Sequence, residues 1–422
     1  MNNLISTENI ININQNVTLS EYEKSENIFL DKKIYNVLST NFIKYLDIIN
    51  TGEPCEYILK AKQYVGIIKI GNLIIKINPK IGLENLFYLI NYCYDLPIKF
   101  DEKTPLDISE EVFNYYVYIF AKEVKDIIAK GIFKKYLNFI EDTTYIKGRL
   151  LIEKNIRRNI SNSLKNLCQY EEFSEDILEN QILKLVTKKL VRFIENKQLD
   201  NILRNNLIYL KEISDLKIIS NDDFKNLIFT RLNEGYRYPL NLARLFLENF
   251  FVKDTFGETT VSSFLVGMNK LFEMFIYKAL KEKLESSELT IKYQKGFSLD
   301  DENKIRIYPD MLIFKNNIPI IVIDAKYKLT KEDEFNQSDV YQMISYCKKL
   351  GISKSILAFP FFEGIDLSKR KIFSFFNKEI FLENFYINLN REEILNKFAT
   401  KELAEYIKNY CQNYFKYLGE KN

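Results

Sequence analysis

The amino-acid sequence predicts a multi-domain α/β chain. It reads as a β-rich N-terminal domain over residues 1–110, a mainly helical middle region over 111–257, and a C-terminal domain over 258–422 built on a mixed sheet flanked by helices. Three observations predict this. At 422 residues the chain exceeds one ordinary hydrophobic core, which points to two or three domains. Tyr64–Ile70 and Leu73–Ile81 are apolar-rich runs joined by Gly71-Asn72, a pair suited to a two-residue hairpin turn. Ile318–Ile323 is a continuous apolar run, as in a strand covered on both faces, and it ends in Asp324-Ala325-Lys326.

Composition narrows the chemistry. Apolar residues make up 46% and charged ones 28%, the balance of a soluble globular protein. A net charge of only +3 means that any nucleic-acid surface must be a local basic patch. The chain has no histidine, which removes Ser-His-Asp and Cys-His catalysis, His-metal nucleases and Cys₂His₂ fingers. A phosphodiesterase built from this sequence must use carboxylates and lysine. The five cysteines (Cys55, Cys93, Cys168, Cys347, Cys411) are scattered and never form CxxC, so free thiols in a reducing compartment are expected rather than structural zinc. Met1–Ser6 lacks a basic and apolar leader pattern, and no apolar run approaches a membrane span. A cytoplasmic protein without a membrane partner is expected.

Along the chain, the helical stretch Leu83–Cys93 follows the first hairpin. Lys76 and Lys80 suit a binding surface or, more commonly, solvated strand edges. Helical spacing sets in at Glu110–Ile128. The segment Tyr145–Asn159 carries Lys147, Arg149, Lys154, Arg157 and Arg158 against Glu153 alone. It suits phosphates or an acidic partner, or is simply a solvated face. Cys168–Asp176 leads into a helix over Ile177–Asn196, with further helices over Ser220–Arg231 and Pro239–Phe251. Gly257 and Ser262-Ser263 mark a boundary. Beyond it come an amphipathic helix, Met268–Ile276, carrying Glu273, then two strands, Ile305 through Asp310 to Lys315 and Ile318–Ile323, turned at Asn316-Asn317. Asp339–Tyr346 is helical, Lys354–Pro360 and Lys371–Phe376 are strands, and Arg391–Leu418 is a closing helix.

The two strands carry the chemistry. Asp324 and Lys326 are two apart and share a strand face. If the strands pair through the Asn turn, Asp310 lies beside Asp324. Two close carboxylates repel unless a cation sits between them, and their hard oxygens suit Mg²⁺ or Mn²⁺. Such an ion polarises a phosphoryl oxygen and acidifies a bound water, while Lys326 can orient that water or stabilise phosphate charge. Singly, each residue has an ordinary use: Asp310 as a turn cap, Asp324–Lys326 as a strand-end ion pair, Glu273 as a solvated helical acid.

Together, Pro309-Asp310 and, fourteen positions on, Asp324-Ala325-Lys326 resemble the PD-(D/E)xK nuclease motif. In that superfamily an upstream helical Glu, here Glu273, reaches the metal directly or through water. Asp339–Tyr346 resembles the Gln-x-x-x-Tyr motif of the RecB-like branch. Gln342 and Tyr346 then share a helix face and suit DNA phosphate or the support of Lys326. Over residues 60–350 the chain also resembles the McrC family, nuclease subunits of McrBC-type modification-dependent restriction systems. The resemblance rests on Tyr64-Val65-Gly66 through Lys80-Ile81, Ile146–Leu150, Cys168-Gln169-Tyr170 with Asp176 and Asn180, and the nuclease motifs.

The resemblance implies an N-terminal half that docks on an AAA+ GTPase subunit (McrB-like) and stimulates it. It also implies Mg²⁺-dependent cutting of double-stranded, 5-methylcytosine-containing DNA. Metal would be held by Asp310, Asp324, Glu273 and the Ala325 carbonyl, with Lys326 assisting the attacking water. Lys147, Arg149, Arg157 and Arg158 are the expected DNA or partner contacts. The chain has no Gly-x-x-x-x-Gly-Lys-Ser/Thr stretch, so GTP enters only through the partner. About the first fifty residues resemble nothing recognised and suit a separate docking addition. Two other readings stay open: a partner that reads an unmodified sequence, and an inactive GTPase-activating adaptor, against which the presence of Asp310, Asp324 and Lys326 together counts.

Overall fold

A computed structural model describes residues 15–97, 109–158, 165–215, 219–256, 259–286, 288–328, 336–361 and 372–419. The chain forms two compact units, one of residues 1–112 with 253–422 and the other of residues 113–252. The segments expected as separate N-terminal and C-terminal domains thus fall into one unit.

The reason is a strand pairing. β1 (Gln15–Ser20), β2 (Tyr64–Ile70), β3 (Leu73–Asn78), β4 (Phe250–Phe256, in the first unit from Lys253 on) and β5 (Thr259–Gly267) form one sheet in the order β1-β3-β2-β5-β4. β2 and β3 are the hairpin expected from Gly71-Asn72, and Gly71 takes the positive φ (54°) of such a turn. β5 pairs antiparallel with β2 from Val261↔Ile70 to Gly267↔Tyr64. A Cβ on Gly66 would lie 2.0 Å from the Phe264 carbonyl oxygen, so this pairing needs glycine there. Ser262-Ser263 therefore lies buried inside a shared strand instead of marking a boundary, and Gly257 lies outside the described residues. β1 adds in parallel to β3, which ties part of the first fifty residues into the same sheet. Helix α1 (Leu83–Cys93) matches its expected span.

A second sheet follows helix α2 (Met268–Leu284). Its strands are β6 (Leu289–Tyr293), β7 (Met311–Lys315), β8 (Ile318–Ala325), β9 (Lys354–Pro360), β10 (Ile372–Phe375) and β11 (Ile380–Ile387), in the order β6-β7-β8-β9-β11-β10. β7 and β8 pair antiparallel around Asn316 and Asn317, both at positive φ (49° and 66°). The register shifts at Pro319, which has no N–H to give the ladder. The expected continuous strand from Ile305 to Asp310 is broken: Arg306–Ile307 pairs with Phe297–Ser298 in a small separate ladder, and β7 starts only after Pro309-Asp310. β11 was not apparent from the sequence, since Glu383 and Asn384 interrupt its apolar run. Helix α3 (Gln337–Leu350) packs Met343, Tyr346 and Cys347 against Leu312, Phe314, Val322 and Leu357. The expected closing helix is two, Arg391–Leu395 and α4 (Lys401–Gly419).

The second unit has an aromatic core in which Phe113, on the helix Ser109–Lys130, meets Phe193 at 4.7 Å and Phe246 at 5.9 Å between ring centroids. It contains helices Leu178–Val191, Lys197–Tyr209 and Arg237–Asn249, with only the short Asn221–Lys225 inside the span expected for Ser220–Arg231. It also holds an unexpected three-stranded sheet of Lys135–Thr143, Asn166–Ser174 and Arg149–Leu150. Lys135–Ile140 alternates half-buried and exposed positions, but its exposed face carries Tyr136 and Ile140, so the sequence shows no apolar–polar alternation there. No helix among the described residues is long and apolar enough to cross a membrane.

Candidate active site

Strand register brings the first two carboxylates together. Met311 faces Ile323, so the next position along the ladder sets Asp310 opposite Asp324. Asp310 Oδ2 accepts a hydrogen bond of 2.8 Å from the Ala325 N–H. Asp324 is 1% exposed, at the end of a strand whose last six residues are buried. Lys326 Nζ lies 2.6 Å from Asp324 Oδ2, so its ammonium pairs with that buried carboxylate. A carboxylate this deep carries a desolvation cost that the one ammonium offsets only in part.

Helix α3 holds the lysine from the other side. Gln342 Oε1 accepts from Lys326 Nζ at 2.9 Å, Gln342 Nε2 donates to the Tyr346 hydroxyl at 2.6 Å, and that hydroxyl donates to the Tyr308 carbonyl at 3.4 Å. The (i, i+4) pair is thus spent on positioning Lys326 and the backbone just before Asp310. On α2, Glu273 Oε1 accepts from Gln294 Nε2 at 2.8 Å.

The electrostatics are those of carboxylates crowded away from water. Burial, then the charges of Asp324 and Glu273, push Asp310 up to about 8. Glu273 is raised by burial, with Asp324 adding to the shift against the hydrogen bonds from Gln294 and Tyr293. Asp324 is raised by burial although Lys326 pulls it down. For Lys326, burial favours the neutral amine, but the charges of Asp324, Asp339 and Asp310 outweigh it and raise the group. The lysine therefore keeps its proton through neutral pH and acts as a fixed positive charge.

Three supports were not visible in the sequence. Gln294 and Tyr293 reach Glu273 across 21 and 20 residues, the first through a direct hydrogen bond. Glu21, fully buried, accepts from the Tyr327 hydroxyl at 3.1 Å and from the Lys80 N–H at 2.9 Å, anchoring the residue that follows Lys326. Long-range pairings of this kind leave no local pattern.

The basic segment lies in the second unit. Lys147 is engaged by Glu172 at 3.1 Å and lies 3.9 Å from the Tyr170 ring centroid, so Glu153 is not its only acid. Arg149 and Arg157 are exposed, Arg158 closes the short helix Ile152–Arg158, and Asn159 lies outside the described residues.

Among the described residues no group of three His, Cys, Asp or Glu side chains closes around a metal position. The donor set still fits Mg²⁺, which keeps several waters and binds through one or two carboxylates. Asp310, Asp324 and the Ala325 carbonyl are hard oxygen donors, and the charge of Glu273 acts on both carboxylates.

These features define an α/β protein with a lysine-backed acidic centre at the ends of two central strands. The chain belongs to the family described as McrBC 5-methylcytosine restriction system component, whose model matches residues 59–360. Its fold is similar to that of a chain in the refined half-complex from a tetradecameric assembly of Thermococcus gammatolerans McrB AAA+ hexamers with bound McrC. That match has a TM-score of 0.56 and 21% identity and covers 91% of this chain and 98% of that one. A second similarity, to the cryo-EM structure of the Thermococcus gammatolerans McrBC complex, has a TM-score of 0.43 and 24% identity over 64% of this chain and 89% of that one. No curated protein matches.

Proposed function

We propose that this chain is the DNA-cleaving subunit of an McrBC-type restriction complex. In this reading it is a cytoplasmic, Mg²⁺-dependent endonuclease with a PD-(D/E)xK core that cuts 5-methylcytosine-containing double-stranded DNA. It docks on an AAA+ GTPase subunit and stimulates it. The observation that carries the reading is the closeness of Asp310 and Asp324, with Asp310 Oδ2 accepting from the N–H of the residue after Asp324 at 2.8 Å and Lys326 2.6 Å from Asp324. Family membership supports the restriction role. The fold neighbour, described as McrB hexamers with bound McrC, supports the partner.

Asp310, Asp324, the Ala325 carbonyl and Glu273 would hold the ion, with Mn²⁺ as a substitute. Bound there, it supplies Lewis-acid polarisation of a phosphoryl oxygen and a more acidic water. The chain's own residues do the rest. Lys326, charged and held by Gln342, faces the charge that builds on the phosphate during attack. Gln294 fixes the rotamer of Glu273, and Tyr346 holds Gln342 and the turn before Asp310.

The test is cleavage of a methylated plasmid by the full chain with its GTPase partner, GTP and Mg²⁺. Asp310→Asn and Asp324→Asn each lose cleavage and keep GTPase stimulation. Cutting at the parental rate by either variant, or equal cutting of an unmethylated plasmid, contradicts the proposal.

A further inference from the structure

A buried acidic centre repels a polyanion, and a net charge of +3 supplies no general attraction. Something local must bring a phosphate backbone to it. In the expected patch at 145–158, Lys147 is already paired with Glu172.

Beside the acidic centre the structure presents a different set of cations. Lys292, Lys295 and Arg306 are exposed, and among the described residues their close contacts are with rings rather than carboxylates. Lys292 Nζ lies 4.7 Å from the Phe314 ring centroid, Lys295 Nζ 5.2 Å from Phe297, and the Arg306 guanidinium 5.6 Å from Tyr308. These positions are fixed against the site. The Gln294 N–H donates to the Asp310 carbonyl at 2.9 Å, which places Lys295 one residue from that contact. The ladder Phe297↔Ile307, Ser298↔Arg306 holds the two segments side by side. A Cβ on Gly296 would sit 2.7 Å from the Tyr308 ring and 3.2 Å from the Arg306 guanidinium, so both side chains lie directly over that glycine. Tyr308 is 51% exposed, and its carbonyl accepts from Tyr346, which also holds Gln342 and through it Lys326.

We propose that Lys295, Arg306 and Tyr308 form the grip for the DNA strand that enters the acidic centre, a role that rests on the nuclease reading of that centre. The ammonium and guanidinium take the phosphates flanking the cut, and the Tyr308 ring packs against the adjoining sugar and base. Lys292 extends the same positive face. Cations without a carboxylate partner among the described residues, beside an exposed ring, are the parts of a backbone-tracking surface. Phosphate contacts set register without reading sequence, so this grip is indifferent to methylation.

The experiment measures binding of the full-length protein to a fluorescein-labelled 20-base-pair duplex by anisotropy, with Ca²⁺ replacing Mg²⁺, over a series of salt concentrations. In the variant carrying Lys295→Gln and Arg306→Gln, the slope of log affinity against log salt becomes shallower by about 2, and affinity at low salt drops about tenfold or more. Tyr308→Ala loses roughly fivefold or more with the slope kept. Arg306→Lys retains the slope. In cleavage assays with the partner, the double variant raises KM and leaves kcat near parental. All these side chains are exposed, so folding is not at stake.

A parent that fails to bind the duplex, or a double variant with parental slope and KM, overturns the grip. A parent that binds with the expected slope but never cuts with Mg²⁺ overturns the nuclease reading alone.

Discussion

The six-stranded sheet holds two buried pairs of lysine and carboxylate, and their surroundings differ. Lys354 and Glu383, on β9 and β11, are 7% and 4% exposed in their side chains and pair closely. Glu383 also accepts from the Tyr406 hydroxyl at 2.7 Å, and the rings of Phe381, Tyr406 and Tyr410 stand 5.2–5.8 Å from Lys354 Nζ. Asp324 is equally buried, but its Lys326 reaches 22% exposure, and Asp310 and Glu273 add two more acidic groups. One lysine is walled in by rings. The other leads out to solvent past an excess of negative charge. A buried ion pair is therefore not a site by itself; the sign of a site is like charge gathered without enough compensation, open on one side.

The contrast breaks most sharply under substitution. Glu383→Gln removes the buried carboxylate that pairs with Lys354 and should cost about 3–5 kcal/mol of stability, with little loss of cleavage per folded molecule. Asp324→Asn should behave in the opposite way, cheap in stability and fatal to cleavage. Urea unfolding followed by circular dichroism, alongside the plasmid assay, decides it. A Glu383→Gln protein that is as stable as the parent, or inactive while folded, would erase the distinction.

A smaller effect sharpens it through pH. Asp310 titrates near 3.8 in the unfolded chain and is pushed up to about 8 in the fold. Between those values the native state binds the extra proton, so metal-free stability is fully present below about pH 4 and declines as pH rises toward about 8. The decline should be on the order of 2 kcal/mol, discounted from the full shift because three carboxylates share it. Melting curves in chelator should fall with pH for the parent and flatten for Asp310→Asn. A parental slope in that variant would remove Asp310 as the cause.

What was legible in the sequence was local. The Ile318–Ile323 run, the Asn316-Asn317 turn and the spacing of Asp310, Asp324 and Lys326 lie within one hairpin, so short-range pattern carries them. Gly71-Asn72 and Leu83–Cys93 were legible for the same reason. What stayed hidden is settled by distant partners. Glu383 interrupts β11 with a charge that makes sense only once Lys354 lies beside it on another strand. Thr259–Gly267 reads as a serine-bearing connector until its pairing with Tyr64–Ile70 is known. The Tyr327–Glu21 bond spans 306 residues, and Pro309 splits a run that looked continuous. Among the candidate residues, Gln342 and Tyr346 were recognisable as a helix-face pair. That they point at Lys326 and the Tyr308 backbone was a matter of packing.

Metal binding tests the central claim most directly. Titrating Mn²⁺ into metal-free, full-length protein at pH 8 and following the free-ion signal by electron paramagnetic resonance needs neither DNA nor partner. The parent and Glu383→Gln should take up the ion, and the variant carrying both Asp310→Asn and Asp324→Asn should not. Equal uptake by that double variant, or none by the parent, would contradict the account.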